Sequence, residues 1–218
     1  MAAAAIEQPD LLSWERQLWD GGYSRIAGVD EVGRGALAGP LVAAAVILPE
    51  CEGDLFDVEP GWHAIRDSKT IIHRRRSVLA EWIHASGALI SIAEVCNEEL
   101  DQIGVAAANR TAMERAVAGL ALDPDMLVID AMTLDLDTPQ IGIIDGDAQS
   151  LSIAAASIVA KVHRDSLMLD LDREYPAYGF ARHKGYGVAA HVAALSQHGP
   201  CPVHRRSFAP VRLAGEAR

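Results

Sequence analysis

Short runs of consecutive apolar residues alternate along the chain with longer stretches in which apolar positions recur every three to four residues. That is the pattern of buried strands set among amphipathic helices. In order, it predicts a helix over 10–19 closed by Gly21-Gly22, a strand over 24–30 and a second, buried strand over 41–48. Residues 49–62, punctuated by Pro49, Gly53, Pro60 and Gly61, read as a loop. A helix over 73–86 stopped by Gly87 leads to an alternating strand over 88–96. Asn97 is placed to cap a helix over 98–103, and an Ala-rich helix over 105–120 carries Met113, Val117 and Leu120 on one face. Strands over 126–130 and 141–145 follow, then a long helix over 153–175 ended by Pro176. A loop rich in glycine, aromatic and basic residues (178–187) leads to a last helix over 188–198. This order predicts an α/β fold, a central mixed β-sheet flanked by helices, with further helices at the C-terminal end. In domain terms, an N-terminal helical segment (1–23) precedes one domain (24–212) and a flexible tail (213–218).

Composition narrows the class. Half of the 218 residues are apolar but only 5% are aromatic, so the core must be built largely from Ala, Val, Leu and Ile. No apolar run is long enough to span a membrane, and the N-terminus lacks the basic stretch of a signal peptide, which predicts a soluble, cytoplasmic protein. Three widely separated cysteines, Cys51, Cys96 and Cys201, form no disulfide framework and suit a reducing compartment. A net charge of −11 argues against a generic, basic nucleic-acid binder. It argues only weakly, because acids gathered around a metal would account for part of it. Basic residues are also clustered, at His73-Arg74-Arg75-Arg76, Arg182-His183-Lys184 and His204-Arg205-Arg206.

The most informative segment is 26–40, where an apolar strand ends in Asp30 and Glu31 and runs into Gly33-Arg34-Gly35. Adjacent strand-end carboxylates are suited to a divalent cation. A glycine-flanked arginine lets backbone and guanidinium approach a phosphate or sugar. Other strand ends offer Asp130 and either Asp145 or Asp147, and spacing alone does not choose between the last two. Unit charges about 4 Å apart repel by roughly 4 kcal/mol at an effective dielectric near 20, so acids gathered in this way call for cations or raised pKa values. Oxygen ligands select Mg²⁺ or Mn²⁺, and the chemistry implied is metal-dependent phosphodiester cleavage.

These segments resemble the type 2 ribonucleases H in their bacterial form. The landmarks are Asp-Glu-Val-Gly-Arg-Gly (30–35) with Gly39-Pro40, Asp67-Ser68-Lys69, Val-Ile-Asp (128–130), Gly146-Asp147, Ala-Ala-Ala-Ser-Ile-Val-Ala-Lys (154–161) and Arg164-Asp165. Tyr-Gly-Phe (178–180), His-Lys-Gly-Tyr-Gly (183–187) and Arg-Arg-Ser-Phe (205–208) complete the set, over roughly residues 24–210. The resemblance implies a ribonuclease H-like fold and two-metal hydrolysis, with Mg²⁺ or Mn²⁺, of RNA paired to DNA. It also implies nicking on the 5′ side of single ribonucleotides in duplex DNA, ends bearing 5′-phosphate and 3′-hydroxyl, a part in ribonucleotide excision, and a monomer. By position it assigns the metal-holding acids to Asp30, Glu31, Asp130 and Asp147, deciding between Asp145 and Asp147. Gly33, Arg34 and Gly35 would contact the 2′-hydroxyl, Tyr186 would stack on the following deoxy sugar, and Ser68 and Lys69 would hold backbone phosphate. Ser157 and Lys161 are weaker phosphate candidates, and Asp165, on a helix after Arg164, reads as structural or as supporting the groups that touch metal or substrate. Two positions depart from the pattern: Ala131 stands where glycine often follows the third acid, and Val188 where threonine is common.

Other signals yield to simpler readings. Gly33-Arg34-Gly35-Ala36-Leu37-Ala38 matches a dinucleotide-binding pattern, but Pro40 forbids the helix that pattern requires. His198, Cys201 and His204 have a spacing that could seat zinc, yet Pro200 and Pro202 keep the stretch extended and no fourth ligand is evident, so packing is the reading. Asn109, Arg110 and Thr111 read as a solvent-exposed helix face.

Overall fold

The computed structural model describes residues 10–51, 53–65 and 73–216. Helix α1 (Ser13–Asp20) leads to strands β1 (Ile26–Val32) and β2 (Leu41–Ile47), then α2 (Leu55–Val58), a 3-10 turn (Pro60–Ala64), α3 (His73–Ala85) and β3 (Leu89–Val95). Helices α4 (Asn97–Ile103) and α5 (Val105–Ala118) precede β4 (Met126–Asp130), β5 (Gln140–Ile143) and a second 3-10 turn (Gly146–Ala148). The chain closes with α6 (Leu151–Glu174), α7 (Phe180–His183), α8 (Ala189–His198) and α9 (Ala209–Glu216).

The strands form one mixed sheet in the order β3-β2-β1-β4-β5. β2 is antiparallel to both β1 and β3, while β4 runs parallel to β1 and β5. Pairing of Ile26 with Met126 through Val29 with Ile129 sets Asp30 of β1 beside Asp130, the last residue of β4. Strand β2, Leu-Val-Ala-Ala-Ala-Val-Ile, is buried along its whole length because both faces are covered. Its Val42, Ala44 and Val46 pack with Leu79 and Ile83 of α3 and with Ala154 and Ile158 of α6. Leu41, Ala43 and Ala45 meet Ala108, Ala112 and Met113 of α5 on the other face. The small alanines let helices come close on both sides, which is how a chain so poor in aromatics fills its core.

Helix α6 is the main support of the site. Ser150 caps it by accepting from the Ile153 amide, and the buried Glu15 of α1 ties the cap down. Glu15 Oε1 accepts from Ser150 Oγ (2.6 Å), the Ser152 amide (3.0 Å) and Ser152 Oγ (2.7 Å). A carboxylate there also suits the positive end of the helix dipole.

Several expectations need correction. Residues 49–62 are not a plain loop; Asp54 caps α2 by accepting from the Phe56 amide, and Pro60 opens the 3-10 turn. Asn97 is not a cap: Cys96 Sγ accepts from the Glu99 amide, and Asn97 Nδ2 donates to the Pro202 carbonyl (2.9 Å). The glycine-rich 178–187 stretch contains α7, and α8 is not the last helix, because α9 continues past Leu213 to Glu216. Ser68 and Lys69 lie outside the described residues.

Candidate active site

The pleat of β1 divides its two terminal acids between the faces of the sheet. Asp30 shares the α6 face with Gly28 and receives a hydrogen bond from the Ser157 hydroxyl of α6. Glu31 points to the α5 face, where Asn109, whose Nδ2 donates to Met132 Sδ (3.3 Å), lies near enough to help hold its pKa down. Asp30 is only 6% exposed and its Oδ1 also accepts from the Glu31 amide (2.8 Å). Burial, opposed by the Ser157 bond and reinforced by the negative charges of Glu31 and Asp130, pushes its carboxyl up to about 8. Burial and Asp130 likewise raise Glu31, against the pull of Arg34. Asp130 Oδ1 accepts from the Gly146 amide (2.7 Å), which fixes the 3-10 turn carrying Asp147 beside the end of β4.

Strand β5 ends at Ile143, so period-2 alternation stops before either aspartate, and the two do not share a strand face. Asp145 sits in a left-handed turn (φ 51°) and is exposed, whereas Asp147 is buried at 2% exposure. Ala131 also adopts a left-handed conformation (φ 54°). That is the physical reason a glycine would suit its place better, since a Cβ is strained there.

Asp30, Glu31 and Asp130 open into a cleft of about 340 Å³ together with Gly33, Arg34, Gly35, Arg76, Ser157, Lys161 and Tyr186. Asp147 is buried and is not among the residues that line it. Lys161 Nζ donates to Asp165 (2.6 Å), and burial lowers the lysine's pKa. Residues 33–40 form turns and no helix, so the dinucleotide pattern has no structural counterpart. Gly33 (φ 89°) is required twice over, because any Cβ there would lie 2.1 Å from Arg164 Nε.

Two readings of the helices and basic clusters fail. Asn109 is not on a solvent face; it is 3% exposed and lies beside Glu31. The sequence signal for it was weak, namely its position on the second turn of α5, the helix that covers the sheet. Arg205 is fully buried and so cannot belong to a phosphate-contacting surface cluster, whereas Arg76 does reach the cleft. The zinc spacing resolves as packing. His204 bonds to Cys201 Sγ and to His191 (3.0 Å each), while His198 is exposed.

Among the described residues, no three His, Cys, Asp or Glu side chains stand close enough together to hold a metal ion between them. The donor set nevertheless fits one: carboxylate oxygens only, an acid driven toward its neutral form by burial and by the charges of Glu31 and Asp130, and a cation as the natural relief. Asp30, Glu31 and Asp130 would hold it, with Asp147 adjoining.

Residues 27–211 match the family model described as Ribonuclease HII. The chain is 48% identical over 212 residues to the "Ribonuclease HII" of Geobacillus thermodenitrificans, covering 97% of this chain and 79% of that protein. Among solved structures, the ribonuclease H2 of Pyrococcus horikoshii OT3 superposes with a TM-score of 0.74 at 24% identity, covering 89% of this chain and 98% of the other. Bst-RNase HIII in complex with Mn²⁺ superposes at 0.66 and 17% identity, covering 100% and 77%. At these identities the two structures speak for the fold alone.

Proposed function

The chain belongs to the ribonuclease HII family, and we propose that it nicks duplex DNA on the 5′ side of a single embedded ribonucleotide as well as cutting longer hybrids. The broader activity comes with the family: it is a ribonuclease H, an endonuclease that hydrolyses RNA paired with DNA. The observation that carries the finer reading is one cleft holding Asp30, Glu31 and Asp130 beside Gly33-Arg34-Gly35 and Tyr186.

Asp30, Glu31, Asp130 and Asp147 are the acids that would hold two divalent ions, Mg²⁺ or Mn²⁺. A fold neighbour, Bst-RNase HIII, has been solved with Mn²⁺. Ions bound there would favour hydroxide over water and offset charge on the leaving 3′-oxygen. The protein's own groups do the rest. Ser157 and the Glu31 amide orient the Asp30 carboxylate, Asn109 lies beside Glu31, and the Gly146 amide orients Asp130. The glycines of 33–35 leave backbone groups open to a 2′-hydroxyl, and Arg34 brings a donor fork to phosphate. The flat ring of Tyr186, on the same cleft wall, fits a sugar that lacks a 2′-hydroxyl and excludes one that has it. Ser68 and Lys69 complete the phosphate contacts in this reading. The products would carry 5′-phosphate and 3′-hydroxyl ends, as excision of misincorporated ribonucleotides requires.

An end-labelled DNA duplex with one ribonucleotide tests this directly. A single nick just 5′ of the ribonucleotide, supported by Mg²⁺ or Mn²⁺ and abolished by EDTA, is expected. Cleavage confined to long hybrids would end the junction-reading role. In the same assay, Asp147→Asn should lower turnover by about 10²-fold or more while hybrid binding survives, whereas Asp145→Asn should stay near wild type. The reverse order would move the fourth acid to Asp145.

A further inference from the structure

Two arginines lie buried beneath the cleft wall without touching the cleft. Arg164 of α6 and Arg205 of the loop before α9 are both fully buried. Their hydrogen bonds run to main-chain carbonyls. Arg164 donates from Nε to Pro40 (2.9 Å), from Nη1 to Lys184 (2.9 Å) and from Nη2 to Ala38 (3.1 Å). Arg205 donates from Nε to Gly39 (3.1 Å) and from Nη1 to Arg34 (3.0 Å). Arg164 also lies over the Tyr186 ring, 5.6 Å from its centroid. Arg205 Nη2 is buried with no acceptor among the described residues.

As packing alone this arrangement is poor. Burial lowers the pKa of both groups, and the charge of Arg164 adds to the effect on Arg205, which falls to about 9. Apolar side chains of like volume generally fill such space at lower free energy than buried charges. What a guanidinium supplies and a leucine does not is several donors in a fixed plane, able to hold carbonyls from separate segments. Arg164 joins the 34–40 turn that follows Gly33 to the 184–186 turn that carries Tyr186, and Arg205 pins the first turn at two points, Arg34 and Gly39. Main-chain bonds join the same pieces: the Leu37 amide donates to Gly185 (2.7 Å), the Arg205 amide to Leu37 (2.9 Å) and the Gly39 amide to Val203 (2.9 Å). His191 Nδ1 meets the Tyr186 carbonyl (3.0 Å) from behind.

We propose that Arg164 and Arg205 are positioning residues for substrate discrimination, clamping the Gly-Arg-Gly turn and Tyr186 into one rigid reader of the ribose-to-deoxyribose step. This rests on the assignment of Gly33–Gly35 and Tyr186 as that reader. The acids of the metal site hang on β1, β4 and the turn before α6, and depend on neither guanidinium. Loosening the clamp therefore separates reading from hydrolysis.

The test compares kcat and KM on two duplexes, one with a single ribonucleotide in DNA and one with a continuous RNA strand. Arg164→Lys and Arg205→Lys keep a charge but lose the planar fork. Arg164→Gln and Arg205→Gln keep one planar amide donor without the buried charge, and stand in if a lysine variant does not fold by thermal melt. The expected result is a fall of about tenfold or more in kcat/KM at the single ribonucleotide, with kcat on continuous RNA within about threefold of wild type. Glutamine should restore part of the discrimination that lysine loses. An equal loss on both duplexes, or no loss on either, overturns the proposal, because a merely structural role scales the two together. Tyr186→Ala serves as the reference. If it shifts the ratio of the two substrates and the arginine variants do not, the clamp is wrong and the reader stands. If Tyr186→Ala leaves the ratio unchanged, the reader assignment fails and the clamp proposal with it.

Discussion

Asp30→Asn is expected to reduce turnover by roughly 10³-fold or more and, at the same time, to make the metal-free protein more stable above neutral pH. The two effects have one cause. Asp30 is buried beside Glu31 and Asp130, and its carboxyl is pushed up to about 8. In the unfolded chain it would titrate near 3.8. Between those values the folded protein holds a proton that the unfolded chain has released. The favourable contribution is complete below the ordinary carboxylate range and is lost as pH rises through about 8. In EDTA the wild-type melting temperature should therefore decline from about pH 5 to pH 9 because of this residue. Asparagine keeps the shape and sheds the charge. Its variant should be more stable than wild type at pH 8.5 in EDTA, by on the order of 2 kcal/mol once relaxation and water entry are allowed for, and melt higher accordingly. Saturating Mg²⁺ should close much of that gap by stabilising wild type more than the variant. Melts at several pH values, with and without Mg²⁺, check this. An Asp30→Asn protein less stable than wild type at pH 8.5 in EDTA would show that the carboxylate holds the fold together rather than straining it.

The parts of the site written in consecutive residues were legible in the sequence. The apolar run into Asp30-Glu31 and Val-Ile-Asp at 128–130 lie at strand ends, the Gly-Arg-Gly turn follows the first, and the strand order brings the two ends together. Resemblance added Tyr186, which does line the same cleft. What was missed depends on contacts between distant segments. Nothing near Asn109 says that it will face Glu31 from another helix, nor does anything local show that Arg205 turns inward while its neighbour Arg206 stays exposed. The Asp145–Asp147 ambiguity had a different origin. The strand expected over 141–145 runs past the true end of β5 at Ile143, where a left-handed residue and a 3-10 turn replace the pleat. Short helices such as α2 and α7 escaped because four residues bear too little periodicity to stand out from Gly- and Pro-rich surroundings. The caps show the same limit: Asn97 has the chemistry of a cap, but the Pro202 carbonyl engages its amide.

Gly28→Ala is expected to have the largest effect on the fold itself. Gly28 is in the middle of β1, on the face that meets α6, and a Cβ there would lie 2.2 Å from the Ser152 carbonyl carbon, 2.3 Å from the Ile153 nitrogen and 2.5 Å from Ser152 Oγ. Two of these are backbone atoms, and the segment cannot easily withdraw because Glu15 holds Ser150 and Ser152 through three hydrogen bonds. Methyl insertion must either push α6 off the sheet or bend β1. Overpacking of this kind costs about 3 kcal/mol or more, roughly 10 °C in melting temperature for a chain of this length. Gly35→Ala is the control, since no described residue lies within 4 Å of a Cβ at that position. Its melting temperature should remain within about 2 °C of wild type, whatever happens to substrate recognition. The consequence for function follows from geometry: Gly28 sets the separation of β1 and α6, and Asp30 and Ser157 face each other across the same gap. Any Gly28→Ala protein that still folds should lose activity as well, since Ser157 would no longer reach the carboxylate it orients. A variant with wild-type melting temperature and wild-type turnover would mean that the helix can shift by an ångström without disturbing the site, and that the close approach at Gly28 is incidental to it.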